Sequence, residues 1–387
     1  MALAPRMTRT TGVREVTRHA TRQLSSAAAF RIAGGRSSVA GLTATVFGST
    51  GFLGRYVVNK LGRVGTAVVT PHRLYDEDNT RHLKLMGDLG MINAIPFHAR
   101  DPDSIAAAVE KSDVVINLLG KQMKTRNFDY VGSNVEAVSN IAKVCKEVGV
   151  PKFVHVSALA ASEDSPSEWL RCKAMGEAQV RNYYPDATIL RPNVIYGEED
   201  NFLNLMAKWT KIWGVIPLLG NGSNILQPVY VDDVAECVRA AVFEEVHTGK
   251  TYELSGPESM SLYKTARWVQ ETTWRKDRPV RCVPDLSGYL PDSLAAASPH
   301  RVAGAMSNAV LSAWPGDMFG PMSMVGPRGD YAAFGCTDWL PNPKLPQMAE
   351  SFNITPTPMK KVAPEYLRHY RQGGHYAVIH KADQTGV

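Results

Sequence analysis

Gly48-Ser49-Thr50-Gly51-Phe52-Leu53-Gly54 is the segment of this chain whose residue types and spacing point most directly to chemistry. It follows a short β-rich apolar run, Leu42 to Phe47, and opens a helical pattern. In that setting glycines permit a tight turn, close approach of the backbone to a pyrophosphate, and packing of helix on strand. The helix N-terminus adds free N–H groups and a dipole that favours negative charge. A second apolar run, Ala67 to Thr70, is followed by Pro71-His72-Arg73. An acid at that place takes a ribose 2′-hydroxyl, whereas the Arg73 guanidinium suits a 2′-phosphate through bidentate hydrogen bonds. The reading is therefore NADP(H), with Asp76 and Asp78 left as acids that could serve an NAD ribose instead.

Three residues further along could touch the other end of a dinucleotide. Ser157 ends a strand-like run, and Trp169 and Lys173 stand four apart, on one face of a helix. In a nicotinamide-dependent reductase, serine hydrogen-bonds the substrate oxygen, a tyrosine passes the proton, and lysine holds the ribose and lowers the phenol's pKa. Here an indole occupies the phenol's position, and an indole N–H has no proton-transfer equilibrium near neutral pH. Ser157, Trp169 and Lys173 thus form a degenerate catalytic set that retains the ribose-holding lysine. A complete Tyr-x-x-x-Lys does occur at Tyr56 to Lys60, but on the helix after the glycine loop, where it is a coincidence. Asp101 could reach an adenine amino group or cap a helix that begins with Pro102; the two roles are compatible. Asn117-Leu118-Leu119-Gly120 ends a fourth strand where backbone would pass close to the adenosine ribose, and Arg191-Pro192 is expected in a turn at the cofactor.

The elements that must position these groups alternate along the chain. Strand-like runs at 42–47, 67–70, 94–97, 114–118, 153–156 and 188–190 are nearly continuous in apolar residues, which implies burial on both faces of a parallel sheet. Helical periodicity at 106–111 and 134–148 supplies crossovers. The fold expected is α/β, a Rossmann-like doubly wound parallel sheet over residues 41–200. A smaller lobe covers 201–283, including a strand then a helix start at Gln227 to Ala235. Residues 284–387 read as an irregular extension laid on partner subunits, with one helix from Pro364 to Arg371.

Charge narrows the function. Residues 1–37 hold seven arginines, no lysine and one acid, Glu15; removing these from the totals of 43 basic and 37 acidic residues leaves 36 of each. A neutral body argues against a nucleic-acid partner. The leader, residues 1–36, has the arginine- and serine/threonine-rich, acid-poor composition of a mitochondrial transit peptide, with a processing-like site at Arg22 to Ser26. No apolar run approaches the ~20 residues that span a bilayer. Five scattered cysteines and ten histidines show no zinc spacing, so no metal is expected.

On these residues the chain resembles the extended and atypical members of the short-chain dehydrogenase/reductase superfamily, through Gly48 to Gly54, the 227–235 segment and Leu190-Arg191-Pro192. More narrowly it is similar to the NADPH-binding accessory subunits of mitochondrial respiratory complex I, in their plant-type form. The supporting stretches are Thr70 to Arg73, Asn117 to Gly120, Phe153 to Leu159, Ala187 to Pro192, Gly197 to Asn204 and Pro364 to Gly374. The resemblance runs from about residue 41 to 280 and resumes near 345, leaving a Met/Pro/Gly-rich stretch that does not match. It implies a matrix-facing subunit of the peripheral arm, at its junction with the membrane arm. Such a subunit meets the membrane surface through partners and holds NADPH for structure and assembly rather than turnover. Members of that family often keep a tyrosine where this chain has Trp169. Two other functions stay open on the residues: an active extended reductase or epimerase, and an organellar RNA-binding protein on the same fold.

Overall fold

A computed structural model describes residues 40–122, 127–165, 167–219, 222–283 and 337–373. The expected transit peptide and the whole stretch from 284 to 336 lie outside the described residues. In chain order the main elements begin with β1 (Thr43–Phe47), α1 (Phe52–Arg63), β2 (Ala67–His72), β3 (Ile92–Pro96), α2 (Pro102–Val109) and β4 (Val114–Asn117). A single π-helical turn (Gly132–Glu136) leads into α3 (Ala137–Val148), followed by β5 (Lys152–Val156), α4 (Glu168–Tyr183) and β6 (Thr188–Pro192). The second half holds β7 (Ile195–Tyr196), α5 (Leu203–Ile212), β8 (Ile216–Leu219), β9 (Ile225–Leu226), β10 (Val229–Tyr230), α6 (Val231–Phe243) and β11 (Thr251–Leu254). It ends with β12 (Met260–Ser261), α7 (Leu262–Thr272), β13 (Val280–Val283), α8 (Met348–Phe352) and α9 (Met359–Leu367).

Seven strands form one parallel sheet in the order β11-β6-β5-β4-β1-β2-β3. The order reverses between β1 and β4, so a crevice opens beyond the carboxyl ends of those two strands. Helices α1 and α6 cover one face around Val57, Leu61, Val234 and Val238. Helices α2, α3 and α4 cover the other around Ile105, Ile141 and Val180. Every residue of β4 and β5 is buried, as the continuous apolar runs require. A third core, built on Leu170, Trp209, Leu262 and Leu367, fills the second lobe.

Four expectations are corrected. The segment assigned wholly to the second lobe returns α6 and the seventh strand, β11, to the main sheet, so residue 200 does not divide the layers. Leu190-Arg191-Pro192 is not a turn: Arg191 and Pro192 extend β6 and pair with Glu253 and Leu254. The tail helix starts at Met359, five residues before Pro364, and closes in a 3₁₀ turn at Arg368–Tyr370. The described tail does not simply lie on a surface awaiting partners. Trp339, Met348, Met359, Ala363, Leu367 and Tyr370 are buried in the chain's own cores.

Candidate nucleotide-binding site

The crevice is bounded by three turns that follow β1, β4 and β5. The first carries the glycine loop into α1, whose N-cap is Gly51 with no side chain bonding to its first N–H groups. These donors stay free for an anion. A β-carbon at Gly54 would lie 2.3 Å from the Gly48 carbonyl oxygen and 2.6 Å from that of Ser49, so helix and loop can approach this closely only with glycine there. Ser49 Oγ is buried without a partner.

The turn after β4 forms the crevice floor. Asn117 Oδ1 accepts from Leu119 N–H at 3.0 Å, and Asn117 Nδ2 lies 3.4 Å from His155 Nδ1, so this asparagine shapes the turn from below. Gly120 sits against the end of Lys173: a β-carbon would come within 2.5 Å of Nζ and 3.1 Å of Asn134 Oδ1. Asn134 belongs to the π-helical turn, an insertion that often re-aims a side chain at a functional site. Its amide donates to the Tyr130 carbonyl at 3.1 Å, while its Oδ1 is buried and unpartnered. Sequence periodicity does not reveal a π turn, and Ser133, Glu136 and Asn140 in the same run leave nothing in composition to set Asn134 apart.

Beyond β5, Ser157 is buried with no partner for its Oγ. Lys173 is buried on α4, has no hydrogen bond among the described residues, and lies 6.0 Å from the Trp169 ring centroid. Burial pulls its ammonium down to about 8, partly offset by Glu177. His155 is held neutral, its pKa lowered to about 3 by burial and then by Lys173. Trp169 is 6 % exposed, donates its indole N–H to the Lys121 carbonyl at 3.0 Å, and stacks on Trp339 with ring centroids 6.5 Å apart.

Arg73 directly follows β2 as expected; its guanidinium is mostly exposed and meets Asp76 at 2.5 Å. Lys121 lies within electrostatic reach of both, its pKa lowered by burial and then by Arg73, with Asp76 opposing. Asp101 caps α2 by accepting from Asp103 N–H at 3.2 Å. Arg191 departs from its expected place at the cofactor: its guanidinium is committed to the buried Glu177 at 2.6–3.2 Å and approaches Glu253 at 3.9 Å. The coincidental pair is likewise committed elsewhere, Tyr56 to Glu199 and Lys60 to Asp232. Among the described residues no three His, Cys, Asp or Glu side chains converge as metal ligands. No described helix is long and apolar enough to cross a membrane.

A switch-point crevice with a glycine cradle, a free helix N-terminus and a buried serine and lysine define a short-chain dehydrogenase-type nucleotide fold. Residues 44–255 match the NAD dependent epimerase/dehydratase family, and the chain belongs to it. Within that family it is 39 % identical, over 90 % of its length and 86 % of the relative's, to mouse (Mus musculus) NADH dehydrogenase (ubiquinone) 1 alpha subcomplex subunit 9, mitochondrial. The protein of that name from Arabidopsis thaliana is also 39 % identical, over 88 % of this chain and 81 % of its own. The UDP-glucuronic acid 4-epimerase of Bacillus cereus, solved with UDP-glucuronic acid and NAD, shares the fold at 19 % identity and a TM-score of 0.54, over 63 % of this chain and 86 % of that one.

Proposed function

We propose that this protein is an accessory subunit of mitochondrial complex I, on the matrix side of the inner membrane, that holds NADPH as a structural ligand and does not turn it over. The observation that carries this reading is an asymmetry at one site. The proton-donor position is a buried indole whose only polar atom is already bonded to Lys121. Among the described residues Ser49 Oγ, Asn134 Oδ1 and Ser157 Oγ, on the elements that border the crevice, remain buried and unpaired. Unpaired buried polar atoms are costly, and a bound ligand is one way to satisfy them.

The residues present fit a dinucleotide. Gly48 to Gly54 and the α1 N-terminus would hold the pyrophosphate, with Arg73 at a 2′-phosphate and Ser157 and Lys173 at the nicotinamide ribose end. When bound, NADPH supplies a hydride donor; the indole at position 169 supplies no proton to the product of its transfer. Asp101, with one carboxylate oxygen capping α2, keeps a second that would meet the adenine amino group. Leu118 and Leu119 would line the adenosine, and Pro192 would border the nicotinamide. Holding the ligand stabilises the folded state by mass action, and with it the surface offered to neighbouring subunits of the peripheral arm and its membrane junction.

The test has two parts. Mitochondrial membranes are solubilised and separated on a native gel, and the purified holoenzyme is then denatured to release its nucleotide. Comigration with the NADH dehydrogenase holoenzyme and about one NADP(H) per chain are expected. Migration away from that complex, or steady NADPH oxidation with a carbonyl acceptor by the isolated chain, overturns the proposal.

A further inference from the structure

Trp169 is more than filler in a vacated catalytic position. Its indole N–H is one of two donors that converge on a single backbone atom, the Lys121 carbonyl oxygen, at 3.0 Å; the other is Asn134 Nδ2 at 3.4 Å. That carbonyl ends the turn after β4, and the turn is in contact with both ends of the crevice. At its near end the Leu118 backbone lies against Gly48 of the phosphate loop, where a β-carbon would come within 3.2 Å. At its far end Gly120 lies against Lys173 Nζ. The indole is itself locked, buried at 6 % exposure and stacked on Trp339 at an interplanar angle of 19°. Trp339 is fixed in turn by Asn193, whose Nδ2 donates to the Trp339 carbonyl at 2.7 Å, and by its own N–H to the Ile225 carbonyl at 2.9 Å.

We infer that Trp169 is a positioning residue for the bound dinucleotide: its N–H pins the turn from Leu118 to Lys121 and so fixes the gap between the phosphate loop and Lys173. The inference rests on the nucleotide-holding reading and gives the indole a use within it. A phenol in the same place would spend its hydroxyl on proton transfer; the indole spends its N–H on the architecture of the floor. The clamp also sets where the Lys121 side chain leaves the backbone, on the side of the crevice that carries Arg73 and Asp76. The C-terminal strap, through Trp339, thereby reaches the nucleotide by way of two stacked indoles.

The experiment removes the donor and keeps the shape. 3-Benzothienylalanine at position 169 replaces the N–H by sulfur in a ring of the same outline, and Trp169→Phe is the genetically encoded companion. NADPH affinity is measured by titrating the isolated full chain, alongside the thermal midpoint of the cofactor-free protein. Loss of one buried hydrogen bond made to the site's framework predicts a NADPH Kd raised about threefold to tenfold in both variants. The rise comes chiefly from faster release, while the cofactor-free midpoint of the benzothienyl form stays close to the parent's. A benzothienyl form that binds NADPH as tightly as the parent overturns the inference, as does one whose midpoint falls while its affinity holds, the mark of a purely structural role. If the parent chain itself does not bind NADPH, the underlying reading has failed and this one with it. The parent titration therefore separates the two failures.

Discussion

Buried polar groups that border the crevice and buried carboxylates that face the tail are treated differently in this molecule. Around the glycine loop, Ser49, Asn134 and Ser157 keep side-chain oxygens buried and unpaired, and Lys173 keeps a buried cation without a hydrogen bond. In the second lobe, and where the tail meets the main sheet, buried carboxylates are answered from within the chain, although Asn204 Oδ1 is left unpaired among the described residues. Asp200 accepts from the N–H groups of Gly197, Phe202 and Asn204 and from the Tyr366 hydroxyl. Asp233 accepts from Thr357, whose carbonyl takes the Tyr196 hydroxyl. Glu253 takes the Asn342 N–H. On the proposed reading the crevice receives a ligand, whereas the second lobe is closed by the chain's own tail.

The sharpest way to break that comparison is to open the closed lobe. Leu367 is fully buried where α9 enters the second core. Leu367→Ala is expected to cost roughly 2–5 kcal/mol of stability, the range for a large-to-small core change. Denaturant titration reads that loss, while NADPH affinity per folded molecule stays unchanged. A variant that keeps its stability would mean the tail is an appendage after all.

The next test fills the crevice. Gly54→Ala places a methyl 2.3 Å from the Gly48 carbonyl oxygen, and only backbone movement can relieve it. That movement displaces the N–H groups that would face the pyrophosphate. A loss of about tenfold to a hundredfold in NADPH affinity is expected, from a strain of order 1–3 kcal/mol. Isothermal titration checks it, and normal binding would move the phosphate site away from this loop.

Lys173 makes the asymmetry measurable by pH. Burial lowers its pKa from 10.5 to about 8. Below pH 8 the amine is protonated in both folded and unfolded chains, and the cost of burying the charge is present in full. Between pH 8 and 10.5 the unfolded chain binds the additional proton, so the stability of the cofactor-free protein rises with pH across that window. Lys173→Met is therefore expected to stabilise the cofactor-free protein at pH 7 by roughly 1–3 kcal/mol, an advantage that shrinks toward pH 10. The same change weakens NADPH binding by roughly tenfold to a hundredfold, because a charged hydrogen-bond donor is lost. A variant that is both less stable and equally competent to bind would refute the idea that this lysine is held for a ligand.

The contrast also marks what could be read from residues alone. Six of the seven main strands and the glycine loop are local signals: apolar runs bounded by turn residues, with the loop at a strand end. The spacing of Trp169 and Lys173 on one helix is local too. What escaped reading depends on partners far away in sequence. Thr251–Leu254 is four residues with a glutamate inside, and only pairing with β6 makes it a strand. A guanidinium reads the same in sequence whether it meets a phosphate or a carboxylate, so the pairing of Arg191 with Glu177 is visible only in the fold. In the tail, Met359, Ala363, Leu367 and Tyr370 keep a helical spacing, whereas Trp339 and Met348 stand among prolines with no period, and only tertiary contact buries them. Asn134 was missed because a π turn shifts the helical register by one residue and leaves composition untouched.

The smallest predicted effect concerns the edge of the crevice, where the two behaviours meet. Arg73 is available to a ligand yet already has an internal partner, Asp76 at 2.5 Å. Exposed pairs of this kind contribute little to stability and are screened by salt. If a 2′-phosphate is the ligand, it must compete with Asp76 for the same guanidinium. Arg73→Glu should then abolish any preference for NADPH over NADH, a loss of about tenfold or more. Asp76→Asn removes the competitor but keeps the shape, and should tighten NADPH by about twofold to fourfold at low salt while leaving NADH unchanged. Comparative titration with the two nucleotides reads both variants. An Asp76→Asn chain that loses affinity for NADH and gains none for NADPH would identify the acid as the ligand of an NAD ribose, and would reverse the assignment of Arg73.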